Sequence, residues 1–478
     1  MSDTPSHESG KNRGGVSRRS MLAGGVAAGA IGIGAATASG AMAAPRTQGP
    51  VVPPRKLQQT SMIGVPFEAH DEVRVGIIGL GNRGSGMTML FDAVPGVRVT
   101  AICDVRENLV RDTSDRLAEA GSRRPREYAR GPEDFERLTE ADDVDFVYIA
   151  SPWEWHYRQA AAALKGGKHV GIEVPIATEV DELWDLVDLS EQNRKHCFLM
   201  ENCAYGRQEL AMLRMAHDGL FGDISNGHGG YLHDLRELLF SETYYYDQWR
   251  RKWHTKFNRA FYTMHGLAPI AVAMDVNRGD RLTTLQATSS GAYGLADYRE
   301  RFVSKDRADV WAEEYIAGDR VTCLISTEQG RMIRAENDTC SPRPYSRINS
   351  IGGSRGLLED YPSRIYLEPD HEGHAWQDSQ PYLDEYDHWL WRDIGDDAEN
   401  HGGHGGMDYV LVYRTMQCIR QGLVPDIDVY DSAAWCSSVP LSGESLSSGG
   451  PVEIPDFTRG QWQDERDGLD SEPAPLLD

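Results

Sequence analysis

Residues 73–84 read V-R-V-G-I-I-G-L-G-N-R-G, and this run sets the architecture of the first half of the chain. A β-branched segment leads into the spacing G-x-G-x-x-G, and residues 85–93 can continue as a helix. Gly79 permits a tight turn, Gly81 lets the backbone approach a pyrophosphate, and Gly84 lets the helix pack closely on the strand. Free N–H groups and the helix dipole favour an anion at a helix N-terminus. The pattern therefore predicts a strand, turn and helix that bind a dinucleotide.

A carboxylate stands where recognition of the ribose is expected. A second strand, residues 97–103, ends in Asp104, twenty residues beyond Gly84. A carboxylate at this distance can accept hydrogen bonds from the adenosine ribose hydroxyls, and it repels a 2′-phosphate. The two motifs together favour NAD over NADP. The alternative is an ordinary glycine turn in an α/β protein.

Strands and helices continue to alternate beyond this unit. Strands are predicted at 144–150, 169–173 and 197–203, and helices at 155–165 and 180–195. This alternation is typical of a doubly wound parallel sheet, so the fold class is α/β with a Rossmann domain at 72–203. Residues 204–455 form a second domain, in which strands are predicted at 283–288 and 320–326. Residues 456–478 are interpreted as a solvated acidic tail.

Composition excludes several classes of protein. The chain has 478 residues, and 40% hydrophobic with 26% charged residues is typical of a folded globular protein. Asp and Glu exceed Lys and Arg by 73 − 49 = 24, so nucleic acid is not an expected partner. The seven cysteines show no zinc-ligand spacing, so no metal site is predicted.

The N-terminus resembles a twin-arginine (Tat) export signal. Residues 17–22 read S-R-R-S-M-L, an uncharged run rich in Ala and Gly follows, and residues 41–43 read A-M-A. We expect a Tat signal peptide at 1–43, recognition by the Tat machinery, a linker at 44–71, and a periplasmic or extracellular mature protein. The alternatives are an uncleaved anchor or a disordered leader. No later stretch approaches the ~20 apolar residues that span a bilayer, so stable membrane insertion is not expected.

Three segments of the first domain resemble a known superfamily. The glycine turn, A-S-P-W-E-W-H at 150–156 and G-I-E-V-P at 171–175 are similar to the glucose-fructose oxidoreductase/inositol dehydrogenase/MocA superfamily. Most members have E-K-P, where the lysine helps to move a proton to or from the reacting hydroxyl. Val174 has no ionisable group and cannot do so. E-V-P is usual in one branch, glycoside hydrolase family 109, the NAD-dependent α-N-acetylgalactosaminidases.

Six later segments resemble the same branch, in order. They read M-E-N-C-A-Y-G-R (200–207), G-G-Y-L-H-D-L-R (229–236), Q-W-R (248–250), Y-T-M-H-G-L (262–267), S-P-R-P-Y (341–345) and H-G-G-M-D (404–408). The resemblance implies an α+β second domain with a mainly antiparallel sheet that covers the nicotinamide. It also implies a homo-oligomer.

The resemblance assigns site residues position by position. NAD would contact Gly79, Gly81, Asn82, Arg83, Gly84, Asp104, Trp153, Glu154, Trp155, His156, Glu173, Val174 and Asn202. The sugar would contact Tyr231, Arg250, Tyr262, Thr263, Met264, His265 and Tyr345. His265 is predicted as the principal acid/base, with Tyr231 and Tyr262 as its catalytic partners. The family usually reads Y-P-T-H, so Thr263 and Met264 are a departure that could alter recognition of a sugar substituent.

The implied reaction is hydrolysis of a terminal α-N-acetylgalactosaminide with NAD as a retained cofactor. The sugar is oxidised at C3, a base removes the acidified C2 proton, the C1 substituent is eliminated, water adds and C3 is reduced again. The glycan or glycoside substrate is thus the expected partner. One alternative is an exported NAD-dependent sugar oxidoreductase of the same superfamily. Another is a sugar-binding protein that keeps NAD without catalysis.

Overall fold

The first sheet is parallel and carries the glycine turn at its carboxyl edge. The computed structural model describes residues 52–56, 59–369, 374–464, 466 and 468–472. The strands of this sheet are β1 (Val73–Ile78), β2 (Val97–Cys103), β3 (Arg126–Tyr128), β4 (Phe146–Ile149), β5 (His169–Ile172) and β6 (Cys197–Leu199). They are connected by α1 (Asn82–Ala93), α2 (Glu107–Glu119), α3 (Phe135–Thr139), α4 (Trp153–Lys165) and α5 (Val180–Asn193).

The strand order is β3-β2-β1-β4-β5-β6, which confirms the doubly wound α/β fold. The order reverses between β1 and β4, and open α/β sheets bind their ligands at such a reversal. Two glycines make the turn there possible. Gly79 has φ +88°, and a Cβ at this position would lie 2.7 Å from the carbonyl carbon of Ala150. A Cβ at Gly84 would collide with the carbonyl oxygen of Gly79, so α1 can pack on β1 only without a side chain there.

The second sheet has the order β13-β12-β11-β7-β10-β9-β8-β14. Its strands are β7 (Ile224–Leu232), β8 (Leu282–Ser289), β9 (Arg320–Thr327), β10 (Met332–Asp338), β11 (Ser350–Gly353), β12 (Gly356–Glu359), β13 (Arg364–Leu367) and β14 (Val452–Glu453). β7 and β10 run parallel, whereas the other neighbouring strands are antiparallel. The prediction of a mainly antiparallel sheet in the second domain is therefore confirmed.

Some of the later helices pack on the second sheet, and others pack against the first domain. They are α6 (Arg207–His217), α7 (Arg236–Phe240), α8 (Trp249–Lys256), α9 (Met264–Ala273), α10 (Gly294–Phe302), α11 (Ala308–Trp311), α12 (Gln380–Glu385), α13 (Trp389–His401), α14 (Met407–Gln421), α15 (Val429–Cys436) and α16 (Ser438–Ser448). α9 packs very closely on β7. This is possible because Gly266 has no side chain: a Cβ there would collide with the backbone of Gly229 and Gly230. α14 packs beside α1, and α15 packs beside α5 and β6.

The segments at the two ends of the described chain are packed. Within the predicted linker, Met62 and Phe67 are buried in the core. The prediction of a solvated tail is wrong for part of the segment, because Phe457 and Leu469 are also buried and Arg459 pairs with Glu191, whereas Asp464 and Glu472 are exposed. The predicted Tat signal at 1–43 lies outside the described residues. Among those that are described, no helix is both long and apolar enough to cross a bilayer.

Candidate active site

One cavity of about 680 Å³ joins the carboxyl edge of the first sheet to β7, α8 and α9. Most of the residues predicted for cofactor and substrate line it together. They are Gly79, Gly81, Asn82, Arg83, Asp104, Trp155, Glu173, Asn202, Tyr231, Arg250, Tyr262, His265 and Tyr345. The cavity therefore brings a dinucleotide motif and a cluster of polar aromatic side chains into the same space.

The end of the cavity formed by the first sheet fits a dinucleotide. Gly81 precedes α1, and no side chain caps the first turn of this helix, so its N–H groups remain available to an anion. The nearest atom to a Cβ placed at Gly81 is an Arg106 nitrogen, 3.5 Å away, so the backbone is open to a ligand. Asp104 is buried and held in place by the N–H groups of Leu80 at 2.7 Å and Arg106 at 2.9 Å. This carboxylate suits the ribose hydroxyls.

A network of ion pairs fixes the wall beside the turn. Arg83 donates to Glu173 at 2.8 Å and to Asp408 at 2.6 Å, while Asn202 Nδ2 donates to Asp408 at 2.8 Å. Burial alone would raise the pKa of Asp408, but the charge of Arg83 holds it well below its usual range. Asp408 belongs to the matched segment 404–408 but is not among the assigned site residues, although it connects two predicted cofactor residues. Its partner Arg83 is 325 positions away, so no local pattern reveals the contact.

His265, at the start of α9, is oriented by the buried carboxylate of Glu201. Its Nδ1 lies 2.5 Å from Oε1 of Glu201, whose side chain is 0% exposed. The same oxygen accepts the backbone N–H of Cys203 at 3.1 Å. Such a pair fixes the orientation of an imidazole, which suits an acid/base group. Glu201 was within a matched segment but was not selected; its position just after β6, at the carboxyl edge, was the available signal.

Tyr231 forms a second pair with His233, another residue that the sequence analysis did not select. The Tyr231 hydroxyl lies 2.8 Å from His233 Nδ1, and the rings of Tyr231 and His265 are 5.1 Å apart. Burial raises the pKa of Tyr231, so this hydroxyl keeps its proton near neutrality and can act as a donor. Burial, followed by the charge of Arg250, lowers the pKa of His233, so its ring is neutral there.

Arg250 brings a positive charge into an aromatic cage. Its guanidinium lies 4.5 Å from the centre of the Tyr262 ring and 5.2 Å from that of Trp153. Nη1 donates to the Tyr245 hydroxyl at 3.2 Å, while Nη2 is buried without a hydrogen-bond partner among the described residues. A fixed cation with a free N–H can bind a developing oxyanion or an amide oxygen.

Thr263 and Met264 do not line the cavity, so the prediction that their side chains contact the substrate is corrected. Both side chains are 0% exposed, because this first turn of α9 directs them into the core. Thr263 Oγ1 lies 2.7 Å from Ser438 Oγ, at the start of α16. The departure from the usual family sequence therefore lies behind the site.

Four residues that were predicted to contact the cofactor also have side chains that do not line the cavity. Trp153 stacks on Tyr262 and Glu154 accepts the indole N–H of Trp253 at 3.3 Å. The ring nitrogens of His156 lie 2.7 and 2.8 Å from two backbone carbonyl oxygens, and the side chain of Val174 is buried. Gly84 likewise serves helix packing. These positions shape the site but offer no side-chain atom to its cavity.

Several other residues that were not predicted complete the lining. They are chiefly Cys203, His233, Trp249, His404, Arg106 and the run Tyr244, Tyr245 and Tyr246. His404 Nδ1 lies 2.8 Å from Asp408, at the mouth of the cavity.

Solved structures share the fold. The chain is similar to levoglucosan dehydrogenase in complex with NADH and L-sorbose, with a TM-score of 0.59 and 17% identity over 81% of this chain and 100% of that chain. It is also similar to scyllo-inositol dehydrogenase from Lactobacillus casei with NAD(H) and scyllo-inositol, with a TM-score of 0.56 and 16% identity over 80% and 99%. At these identities the likeness concerns the fold alone.

Family models match both domains. The oxidoreductase family with an NAD-binding Rossmann fold matches residues 73–201, and the glycosyl hydrolase 109 C-terminal domain matches residues 205–464. The cofactor is therefore NAD. A glycosyl hydrolase family 109 protein from Streptomyces coelicolor is 59% identical over 100% of this chain and 99% of its own length. Another from Saccharopolyspora erythraea is 52% identical over 95% and 97%. The chain belongs to glycosyl hydrolase family 109.

Proposed function

We propose that this protein is an exported glycosidase that removes terminal α-N-acetylgalactosamine with the help of bound NAD. One observation carries the proposal: the dinucleotide turn, the His265–Glu201 pair and the Tyr231–His233 pair share one cavity. The twin-arginine segment of the sequence supports export of a folded protein that already holds its cofactor.

The chain's own residues would hold the cofactor at the first sheet. The turn at residues 79–84 would bind the pyrophosphate, and Asp104 would bind the adenosine ribose. When bound, NAD supplies reversible hydride transfer at C3 of the sugar. Because the hydride returns in the same turnover, the expected overall reaction is hydrolysis without net production of NADH.

His265 would move the proton that elimination requires. Glu201 fixes one ring nitrogen at 2.5 Å, which leaves the other nitrogen to exchange a proton with the sugar. Tyr231, which keeps its proton, would donate a hydrogen bond to a sugar oxygen. The free Nη2 of Arg250 would stabilise negative charge on an oxygen of the intermediate, a contribution of about 3–4 kcal/mol for one such donor in other enzymes.

Val174 favours this reaction over simple sugar oxidation. Its side chain is buried and cannot ionise, so it does not provide the lysine that the related dehydrogenases use. A net oxidation would have to take its proton transfer entirely from His265 or the tyrosines. The oxidoreductase alternative is thus the one that the experiment must exclude.

The decisive experiment is hydrolysis of an aryl α-N-acetylgalactosaminide by the purified protein in D₂O. We expect the released sugar to carry deuterium at C2, because the proton removed there exchanges with solvent before water adds. Hydrolysis without deuterium at C2 would contradict the elimination route. Net NADH formation from free sugar, without glycoside cleavage, would favour the oxidoreductase instead. The His265→Ala protein, checked for NAD content, is the control and should neither hydrolyse nor exchange.

A further inference from the structure

We infer that Glu201, Cys203 and His265 form a binding site for a soft divalent cation such as Zn²⁺, and that a cation bound there stops turnover. A carboxylate oxygen, the Cys203 Sγ and a His265 ring nitrogen all lie within 4.8 Å of one another. The spacing of these residues in the sequence matches no zinc motif, so the site arises only in the folded chain.

The local contacts bring these ligands together before any metal binds. Glu201 Oε1 is 2.5 Å from His265 Nδ1 and 3.1 Å from the backbone nitrogen of Cys203. Glu201 is fully buried, and its second oxygen, Oε2, has no hydrogen-bond partner among the described residues. An unpaired carboxylate oxygen in the interior is costly, and a cation at this position would satisfy it.

The ligand types select the class of metal. Thiolate and imidazole favour Zn²⁺ and similar soft or borderline cations, whereas Mg²⁺ and Ca²⁺ require sets of oxygen ligands. Three protein ligands leave a fourth position of a tetrahedral site open. Cys203 and His265 both line the large cavity, so a cation can reach the cluster from solvent and a water molecule can fill the fourth position.

Binding of the metal would prevent His265 and Glu201 from acting as an acid–base pair. The thiol proton and the proton between His265 and Glu201 would leave to solvent, and the metal would take their places. With Nδ1 bound to the metal, the ring could not accept a further proton at its other nitrogen, and it would lose the orientation that Glu201 gives it. The inhibition rests on the proposed function, whereas the binding itself does not.

Titration of the purified full-length protein with Co²⁺ tests the binding directly. A thiolate ligand gives a Co²⁺ charge-transfer band in the near ultraviolet, so we expect such a band to saturate at one Co²⁺ per chain and to disappear on addition of Zn²⁺. In Cys203→Ser the band should be lost, and Zn²⁺ affinity should fall by more than the roughly 10–100-fold that loss of an outer-shell partner costs. Cys340→Ser is the matched control, because Cys340 is also buried beside a histidine, with Sγ 3.7 Å from His254 Nδ1.

A band that persists in Cys203→Ser, or no band in the wild type at millimolar Co²⁺, would overturn the site. Cys203→Ala serves as the second variant if the serine protein does not fold, with NAD content as the check. Turnover with and without Zn²⁺, each relative to the same protein in a chelator, tests the inhibition separately. We expect Zn²⁺ to inhibit the wild type and Cys340→Ser alike and Cys203→Ser much more weakly. Saturating Co²⁺ and Zn²⁺ binding without inhibition would refute the inhibitory role while leaving the site intact.

Discussion

Glu201 is the residue that orients His265, and its removal should affect the chemical step. Glu201→Gln keeps the size of the side chain but loses the charge that faces Nδ1 at 2.5 Å. We expect kcat to fall by roughly 10²-fold or more, within the range attributed to general acid–base catalysis, while KM changes little. Steady-state kinetics on an aryl glycoside measure both constants.

Glu154→Gln is the matched control for that substitution. Glu154 was predicted to contact the cofactor, but its side chain turns toward Trp253 and does not line the cavity. Its kcat and KM should therefore stay within about twofold of the wild type, since surface changes of this kind have small effects. A large loss in Glu154→Gln, or a change in KM alone in Glu201→Gln, would contradict the assignment of the two carboxylates.

Thr263 should matter for stability rather than for substrate recognition. Thr263→Val removes the hydroxyl that lies 2.7 Å from Ser438 Oγ. The buried Ser438 hydroxyl then has one hydrogen-bond partner fewer. We expect the free energy of unfolding to fall by about 1–3 kcal/mol, measured with urea, and KM to stay within about twofold. A tenfold rise in KM with unchanged stability would restore the prediction that Thr263 contacts the sugar.

The pairing of site residues is the part of the site that sequence reasoning could not supply. The resemblance to family segments identified Arg83, Asn202, Tyr231 and His265. Glu201 is 64 positions from His265, and the two meet because α9 packs against β7 and against the short helix Asn202–Tyr205. The direction of each side chain could not be predicted from the sequence either. Thr263 and His265 are two positions apart, yet Thr263 points into the core and His265 points into the cavity.

The segment 241–248, which precedes α8, should retain NAD in the cavity. It reaches across to the first sheet, where Asn82 Nδ2 donates to the Tyr244 carbonyl oxygen at 2.9 Å. Arg106, beside Asp104, lies 5.0 Å from the centre of the Tyr246 ring. A ligand at the turn would have to pass these contacts in order to leave.

Tyr246→Ala should accelerate the release of NAD. A cation–π contact contributes about 0.5–2 kcal/mol, which corresponds to a dissociation rate roughly 2- to 30-fold faster. The measurement is a chase of bound NADH fluorescence with excess NAD. Tyr293→Ala is the control, because Tyr293 is 72% exposed and does not line the cavity. An unchanged release rate in Tyr246→Ala would show that the segment does not hold the cofactor.

The accuracy of the predicted elements depended on their burial. The strands at 73–78 and 97–103 were predicted with the observed bounds, because most positions of each strand are buried and are occupied by apolar, largely β-branched residues. The strand predicted at 197–203 ends at Leu199, since Asn202–Tyr205 turns into a short 3-10 helix that carries the site. Apolar character alone could not show where pairing stops and a turn begins.

At the scale of the whole molecule, one acidic residue of the C-terminal segment, Asp470, joins this segment to the second domain through basic partners. Their excess in the sequence predicted a solvated tail, but Asp470 lies 3.3 Å from Nδ1 of His217, whose Nε2 is 3.1 Å from Asp275. The hydrogen bonds to Asp275 and Asp470 raise the pKa of His217 to about 9. A charged imidazole between two carboxylates therefore connects Asp470 to α6.

Because of the contacts of His217 with Asp275 and Asp470, the free energy of unfolding should decrease as the pH becomes alkaline. A histidine whose folded pKa exceeds its unfolded value of about 6.5 stabilises the fold below that value, and the contribution disappears as pH rises through about 9. We expect the urea midpoint to decrease between pH 6.5 and 9.5, and to decrease less in His217→Gln. His217 is about one-third exposed, so solvent screening keeps the effect modest. Equal slopes for both proteins would show that the tail is held by its apolar contacts, Phe457 and Leu469, rather than by charge.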